Sequence, residues 1–97
     1  MNHLIDIVSV EKHILANEEE LKALTSQRRL AIISGNWQKA KDSLKEQIRL
    51  LSEQETYIER YYILASTTPP NELLEFSEEM KKHVEAIERN FNRAWGD

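Results

Sequence analysis

Apolar residues return at alternating spacings of three and four along almost the whole chain, which puts them on one face of a helix and on no single face of a strand. The first run is Ile7, Val10, Ile14, Leu21, Leu24 and Ala31, with Asn17 and Arg28 in two positions of the same stripe. The second is Trp37, Ala40, Leu44, Leu51, Ile58, Tyr61 and Ala65, and Gln47 and Gln54 fall in it beside Ile48. The third is Leu73, Met80, Val84, Ile87, Phe91 and Ala94, with Ser77 as the polar interruption.

Glycine and proline stand only between or after these runs. Gly35, in Ser34-Gly35-Asn36, suits the left-handed residue that ends a helix, and Asn36 is placed to cap the next helix at Trp37. Pro69 pushes Thr68 out of helical geometry, and Pro70 or Asn71 then opens a third helix ahead of Glu72, an acid suited to a helix N-terminus. The pattern predicts one domain over 1–97, with helices at approximately 4–33, 37–66 and 70–95. Helices of roughly 30, 29 and 25 residues are about 45, 44 and 38 Å long, so they match well enough to lie side by side. Short connections make neighbours antiparallel, and the 3.5-residue repeat favours left-handed packing. The expected fold is all-α, an elongated up-down-up antiparallel three-helix bundle with coiled-coil-like packing.

Amides in the stripe need partners once desolvated. Asn17, Gln47 and Gln54 either fix the register of the helices, at some expense of stability, or mark a part of the bundle that opens to a partner helix.

Composition narrows the function classes. The 97 residues include 40% apolar and 31% charged, with two Gly, two Pro and no Cys, which favours helix over sheet or disorder. Without Cys there is no disulfide, thiolate metal site or Cys nucleophile. A net charge of −4 argues against a general nucleic-acid binder. The surplus acid lies in residues 67–97. No apolar run approaches the ~20 residues that span a bilayer. The opening residues lack the basic start and apolar core of a secretory signal, so the expectation is a cytoplasmic protein without a membrane partner.

Chemistry is sparse. His3, His13 and His83 stand in no recognised metal spacing, and Glu79 four residues before His83 reads as a surface ion pair. Two separated glycines make no phosphate loop, and the Ser and Thr residues around the proline turn suit caps. We therefore expect no catalytic residues, no metal and no cofactor, and no enzyme. Lys41, Lys45 and Arg49 form a modest basic ridge on the second helix, either plain surface or a contact for an acidic segment.

More informative is the apolar excess outside the stripes: Leu15, Leu30, Ile32 and Ile33 in the first helix, Leu50, Tyr57, Tyr62, Ile63 and Leu64 in the second, and Leu74, Phe76 and Trp95 in the third. Some of these widen the core. The remainder would form an exposed surface of the kind that docks another chain.

The order of features resembles the flagellar type III export chaperones of the FlgN/FliT kind. The likeness is carried by Ile14-Leu15-Ala16-Asn17-Glu18-Glu19-Glu20-Leu21-Lys22-Ala23-Leu24, by the Gly-polar-Trp turn in Ala31-Ile32-Ile33-Ser34-Gly35-Asn36-Trp37-Gln38-Lys39-Ala40, and by Lys45-Glu46-Gln47-Ile48-Arg49-Leu50-Leu51 with Ile58-Glu59-Arg60. It covers about residues 10–64. The resemblance implies binding and not catalysis: an export chaperone that holds an amphipathic segment of a flagellar hook-junction or filament-cap subunit and prevents premature assembly before secretion. Apart from that resemblance, aromatic hot-spot chemistry points to the third helix, with Leu74, Phe76, Phe91 and Trp95 as candidate partner-binding residues. Two other readings stay open. One is a self-associating structural coiled coil, a homo-oligomer; the other is a helical adaptor or anti-activator without an export role.

Overall fold

The structure, a computed structural model, describes the backbone of residues 3–95 and the side chains of residues 6–93. Three helices follow in order: α1 (His3–Ile33), α2 (Trp37–Ala65) and α3 (Asn71–Trp95). They form a three-helix bundle measuring 51 × 20 × 19 Å.

The α1–α2 turn is built from the expected residues. Gly35 adopts φ +75°, the Asn36 N–H bonds the Ala31 carbonyl at 2.8 Å, and the Gly35 N–H bonds the Ile32 carbonyl at 3.1 Å. These two bonds close the orphan carbonyls of α1 in a Schellman arrangement. Asn36 then caps α2, its side-chain oxygen accepting from the Lys39 N–H at 3.1 Å. One residue thus ends one helix and starts the next.

The far end of α2 is closed differently. Ser66, not a glycine, takes the left-handed conformation (φ 55°, ψ 30°) and donates its N–H to the Tyr62 carbonyl at 2.8 Å. Pro69, within the connection, is buried, and α3 opens at Asn71 with the Leu73 N–H on the Pro70 carbonyl. Glu72 in the first turn and Arg93 in the last both favour the dipole of α3.

Polar contacts define the register. Gln47 reaches the Leu21 carbonyl and Gln54 the Ile14 carbonyl, so α1 and α2 run antiparallel. Thr25 meets Met80 and Arg28 meets His83, both pairs 55 residues apart, so α1 and α3 run parallel. The α1–α2 packing is the more extensive, and α3 lies against both helices with fewer close backbone approaches.

Two apolar clusters share the core. One, toward the α1–α2 turn, joins Leu21, Leu24, Ala31, Ala40, Leu44, Leu50, Leu51, Val84 and Phe91. The other, toward the α2–α3 connection, is smaller: Val10, Ile14, Tyr61 and Leu73, with Ile7, Tyr57 and Ile58 against them. Leu50, outside the predicted stripe, is buried, whereas Trp37, inside it, is 45% exposed at the hairpin end.

Candidate functional site

The core carries two polar layers seven residues apart on α2. In the first, Gln47 is fully buried; its Oε1 accepts from Arg28, and its Nε2 donates to the Thr25 hydroxyl at 2.7 Å and the Leu21 carbonyl at 3.2 Å. Arg28, 1% exposed, also donates to His83 Nε2 at 2.7 Å. A guanidinium has no acceptor, so the His83 nitrogen facing it must hold a lone pair. Burial, followed by the Arg28 and Arg29 charges, lowers the pKa of His83 below its ordinary value, which keeps the ring neutral. His83 therefore does not form the expected surface pair with Glu79; it turns inward, because Arg28 needs an acceptor more than an exposed carboxylate needs a weak partner.

In the second layer Gln54 donates to the Ile14 carbonyl at 3.1 Å and the Ser77 hydroxyl at 3.2 Å. Its Oε1 is buried without a hydrogen-bond partner among the described residues, as are Asn17 Nδ2 and Glu18 Oε1. Burial raises the Glu18 carboxyl above its ordinary value. These layers bind the helices to each other through buried Arg28, Gln47, Gln54 and Ser77, so they are scaffold.

The surface feature that the layers support is a groove along α2 and α3. Near the α2–α3 connection it is a cleft of about 490 Å³ with Ile58, Tyr62, Pro69 and Leu74 among its lining residues. Toward the other end it continues as a cleft of about 320 Å³ lined in part by Ile48, Leu51 and Val84. Glu55 and Lys81 line both clefts, and their side chains meet at 2.9 Å, an ion pair that straps the groove at its middle. The Glu55 carboxylate raises the pKa of Lys81. From Ile48 to Tyr62 the α2 wall covers 14 steps, or about 21 Å of helix.

Of the four candidate partner-binding residues, the three with described side chains, Leu74, Phe76 and Phe91, are not brought together. Leu74 lines the groove and is half-buried. Phe76 packs against the larger core cluster, with the Lys22 ammonium 5.3 Å from its ring centroid. Phe91 is core, 7% exposed. Trp95 closes α3, and its side chain lies outside the described residues. Ile48 stands in the sequence only as a stripe position and Tyr62 only within the apolar excess, and neither is among the four candidate residues; with Glu55 they stand seven apart, and that spacing on α2 was the available signal.

Elsewhere, Arg49 bonds both Glu46 and Glu53, so the end of the predicted basic ridge is neutralised within α2. His13 stacks on Tyr57, ring centroids 4.9 Å apart, and its Nδ1 meets the Ser9 carbonyl at 2.8 Å. His3 has its side chain outside the described residues. Among the described residues no group of three or more His, Asp or Glu is placed to hold a metal ion. No helix among them is long and apolar enough to cross a membrane. Compared with protein families, curated proteins and solved structures, the chain has no match.

Proposed function

We propose that this chain is an export chaperone that holds an amphipathic segment of a flagellar hook-junction or filament-cap subunit in the cytoplasm until secretion. The observation that carries the reading is the groove between α2 and α3, whose apolar floor is long enough for about four turns of a helix. The sequence likeness over residues 10–64 adds the cellular setting. Binding here is surface burial, with selectivity from the groove walls and no chemical step.

The test is the light-scattering mass of the purified chain, alone and mixed with hook-junction and filament-cap subunits of the same cell. A stable complex of low stoichiometry that Leu74→Glu abolishes is the expected result. A fixed mass with no complex would remove the chaperone reading. Self-association is the second reading, and it draws on the hairpin end, where Leu30 and Ile33 are 66% and 82% exposed. A mass that rises with concentration and falls with Ile33→Glu would favour it.

A further inference from the structure

The walls of the groove are charged almost entirely with one sign. Glu55, Glu59 and Glu78 line the larger cleft and Glu55, Glu85 and Glu88 the smaller, against Lys81 as the one base lining either among the described residues. All five carboxylates are exposed at the rim, and the apolar side chains lie between them. An apolar floor between carboxylate walls attracts a helix of matching polarity and repels an acidic one.

We infer that the groove takes an amphipathic helix whose apolar face is flanked by Lys or Arg, and that one incoming base displaces Lys81 from Glu55. The inference rests on the helix-binding reading and adds to it the chemical class of the partner. Lys81 stands where such a base would sit: it is a base of the chain's own, laid across the middle of the groove onto a carboxylate of the opposite helix. The pair is half exposed on both sides, and solvent-exposed pairs of this kind exchange partners at little cost. A guanidinium arriving with an apolar face replaces the strap with a bidentate contact and covers the floor at the same time.

The test uses the full chain and two synthetic helical peptides of about 14 residues with the same apolar face, one flanked by Arg and Lys, the other by Glu, followed by fluorescence anisotropy. The basic peptide is expected to bind at least about tenfold more tightly, and to lose most of that advantage between low and high salt. The triple variant Glu55→Gln, Glu59→Gln, Glu78→Gln should bring the two peptides close together while leaving the melting midpoint nearly unchanged, since these groups are exposed. Lys81→Gln should tighten the basic peptide a few-fold by removing the competitor. Equal binding of both peptides would overturn the inference and leave the helix-binding reading standing. Binding of neither would overturn both. A self-associated mass that the basic peptide fails to dissociate would assign the groove to a second copy of the chain and overturn the inference as well.

Discussion

Gln47 and Gln54 are the same residue, seven positions apart on the same face of α2, and both are fully buried. Yet Gln47 has its carbonyl and its amide engaged, with a charged donor on α1, whereas Gln54 leaves its Oε1 unpartnered beside a layer in which Asn17 and Glu18 also have unpartnered atoms. The same division runs through the rest of the molecule. The Gln47 half holds the larger apolar cluster and ends in a glycine-closed turn. The Gln54 half holds the smaller cluster and ends in a left-handed serine. The larger cleft of the groove, with Leu74 and Tyr62, opens on this second half. The difference teaches that the bundle is fastened at one end and under-satisfied at the other, and that the larger of the two clefts lies at the end with fewer bonds holding it.

Removing the acceptor of the fastened layer gives the largest effect. Gln47→Leu leaves the buried Arg28 guanidinium with His83 as its remaining acceptor, and the expected loss is about 3 kcal/mol in urea unfolding, because an under-partnered buried charge keeps its full desolvation cost. The double variant Arg28→Met, Gln47→Leu should recover most of that loss, since the charge and its acceptor leave together. A double variant as unstable as the single would show that packing, and not the charge, sets the value of this layer.

Acid acts on the same layer. His83 accepts from Arg28 only when Nε2 is unprotonated, and its folded pKa lies below the ordinary 6.5. The unfolded chain therefore takes up the proton first: stability is retained above about pH 6.5, declines as pH falls below it, and levels off once the folded ring is also charged. Glu18 works in the opposite sense, because its folded pKa is raised and its protonation relieves a buried charge at the acid end of the range. The melting midpoint should fall from about pH 7.5 to about pH 5.5, and His83→Gln, which keeps an acceptor for Arg28, should flatten that slope. An unchanged slope in His83→Gln would place the titrating group elsewhere.

The less fastened layer should barely respond to the matching change. Gln54→Leu frees the Ser77 hydroxyl, which can turn to a carbonyl of its own helix, and it removes an orphaned oxygen, so the expected change is within about 1 kcal/mol of either sign. A loss equal to that of Gln47→Leu would end the comparison between the two layers.

The helices and their ends were legible because Gly35, Asn36, Pro69 and Pro70 act through their own backbone and side-chain chemistry, which needs no neighbour in space. The amides in the stripe were legible as anomalies. Their partners were not: Arg28 and His83 are 55 residues apart, and a helical pattern assigns His83 to Glu79 on its own surface. The same limit applies to the groove, which needs Glu55 and Lys81 to be known as neighbours across two helices. Leu74, which stands in the apolar excess outside the stripes, lines the cleft, whereas Phe91, chosen for its aromatic ring although it lies on the stripe, belongs to the core.

The smallest effect sits at the helix ends. A left-handed residue with a Cβ costs about 1–2 kcal/mol, and glycine escapes this while losing part of the gain to its freer unfolded chain. Ser66→Gly is therefore expected to stabilise by about 0.5 kcal/mol, because the N–H bond to Tyr62 that closes α2 is a backbone contact and survives the change. Gly35→Ala is the reciprocal change. An added Cβ there meets no atom within 4 Å, so its cost is conformational alone, about 1 kcal/mol. If the two shifts in melting midpoint take opposite signs, the unequal ends of the bundle are a property of the two caps themselves. A Ser66→Gly variant no more stable than the parent would mean that the serine side chain offsets its own strain, and the difference between the ends would then rest on the Gln47 and Gln54 layers alone.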